Sequence, residues 1–99
     1  MSLNLFNRIT TVDNTSDNLK VKIMNRDRVI FEGEVKAITS ENSLGEFDIL
    51  PQHANFVSTI KSKIVLHKDK GAEEVFPVTL GVIDVGSNQI KVYLGLEAQ

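Results

Sequence analysis

The stretch that decides the fold is "LKVKIMNRDRVIFEGEVKA", residues 19–37. Leu19, Val21 and Ile23 alternate with Lys20 and Lys22, and Val29, Phe31, Gly33, Val35 and Ala37 share a second face of the same kind. A period of two puts every other side chain on one side of an extended chain, so each run buries one face and wets the other. Between them "NRDR" is polar and turn-forming. The segment reads as strand, turn, strand until Ile38 breaks the alternation, which predicts a bulge or bend in a long second strand.

Downstream, "SENSLG" reads as a polar loop in which Gly45 supplies the freedom a tight turn needs. Phe47 and Ile49 then alternate with Glu46 and Asp48 before Pro51 closes a strand. Further short strands fit "NFVSTI", "SKIVLH", "EEVFPVTL", "GVIDVG" and "QIKVYL", with turns at "KDKG" and "GSNQ". Pro77 cannot donate to a sheet ladder, so its strand lies at an edge or carries a bulge. Short strands with turn signals every eight to twelve residues or so predict an all-β antiparallel β-sandwich over residues 19–95. Upstream, residues 1–18 end in the polar "TTVDNTSDN" and read as a flexible extension, where Leu3, Leu5, Phe6 and Ile9 suit a helical turn or an added edge strand. Residues 96–99 read as a tail.

A chain of 99 residues, 41% hydrophobic and 24% charged, holds one core and is too apolar to stay disordered. Eleven basic and thirteen acidic residues leave a net charge of −2 without a basic run, so nucleic acid is not expected as a partner. No apolar run approaches the ~20 residues of a membrane-spanning helix, which leaves no direct membrane insertion. The absence of cysteine removes disulfides and thiolate metal sites and fits a reducing compartment, the cytoplasm by default.

Chemistry, if any, concentrates in "GEFDILPQHA", residues 45–54. Glu46 and Asp48 on one strand face, followed by His53, suit three readings: an acid/base or hydrolytic cluster, a metal site, or a docking loop. Against the first two, neither the ligand spacing of zinc or calcium nor a nucleophile elbow or phosphate-binding glycine loop is present. A small filled sandwich also offers little room for a pocket that shifts a carboxylate. Both acids simply facing water is the plain alternative. His67, at the end of a strand before "KDKG", reads as a solvated edge residue.

Taken together, "VIFEGEVKAITSENSLGEFDILPQHA", the central "STIKSKIVLH" and "VFPVTLGVIDVGSNQIKVYL" resemble the N-terminal β-sandwich domain of the epsilon subunit of F-type ATP synthases, called delta in mitochondria. The resemblance runs from Leu19 to Leu94, and GEFxILPxHA is its most specific part. It implies a sandwich of about ten short strands, with no chemistry and no cofactor of its own. One copy sits in each complex, between the gamma subunit and the polar loops of the membrane ring. Such a subunit is peripheral, on the cytoplasmic side of the plasma membrane, or in the matrix or stroma of an organelle.

Carried over residue by residue, the resemblance assigns Glu41, Asn42, Ser43, Leu44, Gly45, Glu46, Phe47 and Asp48 to the ring contact, with His53 at its border. Asn25, Arg26 and Ser58 fall where the family meets gamma. Two departures stand out: Gln52 and Asn55 replace residues of the family's PGHAP turn, and "LG" at Leu80 and Gly81 replaces a glycine pair. The family's C-terminal helical hairpin, which inhibits hydrolysis and in some members binds ATP, has no counterpart in these residues. Neither activity is carried over.

Overall fold

Lysines at 20 and 22 alternate with side chains that end fully enclosed: Leu19, Val21 and Ile23 are all buried. The computed structural model describes residues 18–52 and 54–95, so the expected extension, the tail and His53 lie outside the described residues. Within them run seven strands: β1 (Leu19–Met24), β2 (Val29–Val35), β3 (Ala37–Asn42), β4 (Gly45–Ile49), β5 (Phe56–His67), β6 (Glu73–Gly86) and β7 (Gln89–Leu94). They form one continuous hydrogen-bonded sheet in the order β2-β1-β7-β6-β5-β3-β4. Every neighbouring pair is antiparallel except β1 and β7, which run parallel.

The sheet becomes a sandwich because its two longest strands bend. β5 and β6 pair from Phe56↔Val85 to Ile60↔Gly81, then jump to Ser62↔Val78 and continue to His67↔Glu73. Lys61 on one strand thus faces two residues, Thr79 and Leu80, on the other, a bulge beside which Ser62 takes φ 73°. One half of the bent ribbon joins β7, β1 and β2; the other joins β3 and β4. A single cluster unites the halves, with Ile23, Ile83 and Val92 from one and Ile38, Ile49 and Leu66 from the other. Each such side chain contributes roughly 1.5–3 kcal/mol on burial. Two edge-to-face aromatic pairs cross between the layers, Phe31–Phe76 at 6.1 Å and Phe47–Phe56 at 5.4 Å.

Gly81 sits at the bend because nothing larger fits: a Cβ there would stand 2.7 Å from the Tyr93 carbonyl oxygen. Ser40, fully buried, donates its hydroxyl to the Lys63 carbonyl at 2.7 Å, where the β3–β5 register also jumps. The carbonyl that the bulge frees is thereby satisfied by a side chain.

Several boundaries differ from the sequence reading. The long second strand is two strands, because the chain leaves β2 at Lys36 and re-enters the sheet as β3 between β5 and β4. "SENSLG" is mostly strand, with only Ser43 and Leu44 left as the turn. The segments "NFVSTI" and "SKIVLH" are one strand of 12 residues, and "EEVFPVTL" and "GVIDVG" are one of 14. Among the described residues the half of β6 that holds Pro77 pairs with β5 alone, since β7 reaches only residues 81–86. That is the edge position a proline requires.

A candidate docking hairpin and its tied face

The β3–β4 hairpin is built from a tight turn. Asn42 accepts the Leu44 N–H through Oδ1 at 2.9 Å, and Gly45 takes φ +121°, open to glycine and unfavourable to other residues. The result pushes Leu44 into solvent, 94% exposed at the tip. Glu41 and Glu46 lie opposite each other below it, with Lys61 opposite Glu41 on β5.

Each acid of the hairpin's β4 strand is engaged within the chain. Lys63 Nζ donates to Glu46 Oε2 at 2.7 Å, and this hydrogen bond with its charge lifts the Lys63 ammonium above its ordinary 10.5. Thr39 Oγ1 donates to Asp48 Oδ1 at 2.6 Å. Glu46 and Asp48 thus share a strand face but are held by different neighbours. Among the described residues no group of three His, Cys, Asp or Glu side chains stands close enough to hold a metal ion. Phe47 turns inward, half-buried against the core.

His67 corrects the sequence reading most clearly. It ends β5, an interior strand between β3 and β6, and both its ring nitrogens are engaged. Nε2 lies 2.8 Å from Thr39 Oγ1 and Nδ1 3.1 Å from Glu73 Oε2. Alternation along "SKIVLH" puts Lys63 and His67 on one face. What it cannot supply is the register that sets Thr39, Asp48 and Glu46 beside them.

The other candidate set is split. Asn25 shapes the β1–β2 turn: its Oδ1 accepts the N–H groups of Asp27 and Arg28 at 2.8 and 2.9 Å, and Arg26 is left exposed. An open cleft of 360 Å³ adjoins this turn, lined by Asn25, Arg26, Asp27, Leu94 and Gly95. Ser58 lies elsewhere, on β5, where its Oγ accepts a hydrogen bond from Asn42 Nδ2 at 3.1 Å. Across the row Met24, Tyr93, Val82 and Thr59, three strand spacings or about 14 Å separate the two places. The fold gathers Ser58 with the hairpin and not with Asn25.

Among the described residues the chain is a β-sandwich in which Glu46 and Asp48 are matched to neighbouring side chains and the most exposed apolar residue, Leu44, crowns a hairpin. The family described as "ATP synthase, Delta/Epsilon chain, beta-sandwich domain" matches residues 18–94, and the chain belongs to it. It is similar to the ATP synthase epsilon chain of a Nitratiruptor species, with 34% identity over 74 residues, 74% of this chain and 57% of that one. The chain therefore spans little more than half of that relative. In fold it is similar to a chain of the Euglena gracilis mitochondrial ATP synthase (OSCP/F1/c-ring), with TM-score 0.75, 18% identity and coverage of 83% of this chain and 53% of that one. A chain of the Tetrahymena thermophila mitochondrial ATP synthase central stalk and c-ring gives TM-score 0.59, 14% identity, 77% and 62%.

Proposed function

We propose that this chain is a non-catalytic rotor subunit of an F-type ATP synthase. In this reading it bridges the gamma subunit and the membrane ring and couples proton or sodium translocation to ATP synthesis or hydrolysis. It acts as one peripheral copy per complex, on the cytoplasmic, matrix or stromal side. No helix among the described residues is long and apolar enough to cross a membrane, and in this reading attachment runs through partners.

The observation that carries the reading is the hairpin. Leu44, 94% exposed, stands on a turn held by Asn42 and Gly45, and the strands below it are fixed by Lys63 and Thr39. A rigid post with an exposed apolar cap loses little entropy on docking. Family membership suggests the partner: polar loops of the ring, with Glu46 offering a carboxylate that is still 58% exposed beside Lys63. On the opposite side, Arg26 and the exposed Val29, Ile30 and Tyr93 favour a protein neighbour such as gamma.

Tagged chain expressed in its source organism and recovered from detergent-solubilised membranes is expected to bring gamma and ring subunits with it. Glu46→Arg weakens ring attachment by about 2 kcal/mol or more if the contact is desolvated. Because that change also sets an arginine beside Lys63, Leu44→Asp is the cleaner variant: it touches no internal partner and should lose the ring while keeping gamma. A clean monomer from the parent chain would overturn the proposal.

A further inference from the structure

We propose that His67 makes the docking hairpin sensitive to pH, through a proton relay running across four strands from Glu73 to Asp48. The row lies on one outer face, with Glu73 on β6, His67 on β5, Thr39 on β3 and Asp48 on the edge strand β4. Its three links measure 3.1 Å from Glu73 Oε2 to His67 Nδ1, 2.8 Å from Nε2 to Thr39 Oγ1, and 2.6 Å from Oγ1 to Asp48 Oδ1.

Counting protons decides the state of the ring. A carboxylate only accepts and a hydroxyl has a single proton to give. Thr39 spends its proton on Asp48, so the contact with Nε2 requires a ring proton there. Glu73 accepts, so Nδ1 must carry a proton as well. With both carboxylates ionised, all three links coexist only when His67 is the imidazolium.

When that ring gives up a proton, one link must fail, and the geometry selects which. Keeping the proton on Nε2 would turn the Nδ1 lone pair toward the Glu73 carboxylate, which is repulsive. Keeping it on Nδ1 preserves the charge-assisted bond to Glu73 and makes Nε2 an acceptor. The Thr39 hydroxyl then swings to Nε2 and Asp48 loses its donor. The loss falls on β4, which among the described residues pairs with β3 alone and carries the hairpin. The other charges around the ring are already matched: Lys36 with Asp69 at 3.6 Å, Lys68 with Glu74, and Lys63 with Glu46 at 2.7 Å.

The relay is a property of the chain itself; only its use at the ring rests on the docking reading. The test is an NMR titration of the whole chain, following the histidine ring nitrogens, the Asp48 carboxyl carbon and amide exchange in β4. His67→Gln assigns the His67 signals against those of His53. The expected result is that Asp48 follows the His67 midpoint and that β4 exchange, corrected for base catalysis, accelerates about three- to tenfold above it, the worth of one hydrogen bond. In Thr39→Val, which suits a strand, His67 should still titrate while Asp48 and β4 no longer respond. An Asp48 signal that ignores His67, or coupling that survives Thr39→Val, would overturn the relay. Either failure leaves the co-purification test of docking untouched.

Discussion

The two outer faces of the sandwich treat their polar groups differently. On the face made by β3, β4, β5 and the first half of β6, side chains are tied across strands: Glu46 to Lys63, and Asp48 through Thr39 and His67 to Glu73. On the face made by β2, β1, β7 and the second half of β6, one row reads Glu32, Lys22, Lys91, Asp84, and the row beyond it reads Val29, Met24, Tyr93, Val82. The first face spends its polar groups on holding an edge hairpin in place. Both faces expose apolar side chains, Val75 on the first and Val29 and Tyr93 on the second; on the second they fall in a row across neighbouring strands. A face tied across its strands and a face with an apolar row thus lie on opposite sides of one core.

The largest effect is expected where the faces share a support. Gly81→Ala places a Cβ 2.7 Å from the Tyr93 carbonyl oxygen, and relieving that clash at the bend should cost about 2–3 kcal/mol in urea unfolding. Both faces should loosen together in amide exchange; loosening of only one would mean that the bend does not couple them.

Next comes a change confined to the tied face. Ser40→Ala removes the buried donor to the Lys63 carbonyl and should cost about 1–3 kcal/mol, with exchange rising in β3, β4 and β5 before β1 and β7. A uniform response would erase the distinction between the faces.

A smaller change has the opposite sign. Gln52 holds φ 71° in the turn after β4. Relief of a left-handed residue, offset by the greater chain freedom of glycine, predicts that Gln52→Gly gains about 0.5 kcal/mol in thermal or urea unfolding.

The smallest effect is electrostatic. Glu46 raises the Lys63 pKa in the fold above its ordinary 10.5, so the stabilisation is complete below 10.5 and is lost as pH rises through the raised value. Lys63→Met should therefore be slightly less stable than the parent near neutrality, with the gap closing in strong alkali. A gap that persists there would assign the effect to packing of the lysine stem.

These differences explain what was legible in the sequence. Leu19, Val21 and Ile23 announced β1 by alternation alone, Pro51 marked the end of β4, and Pro77 found the edge position it needs. The resemblance carried by GEFxILPxHA led to the family. What stayed hidden depends on register. The bulge breaks the alternation of β5 at Lys61 and Ser62, so one strand read as two. Ser40, a turn-forming type, is a buried strand residue because a carbonyl across the sheet needs its hydroxyl. His67 looked peripheral because its partners lie 28 residues upstream at Thr39 and across a turn at Glu73.

The central claim, that the β3–β4 hairpin docks on the membrane ring, is tested most directly by a photoreactive residue at position 44 of the tagged chain in native membranes. A cross-linked product containing a ring subunit, lost when the cross-linker is moved to the tied face at Val75, is the predicted result. Cross-linking from position 44 to gamma alone, or to neither subunit, would contradict it.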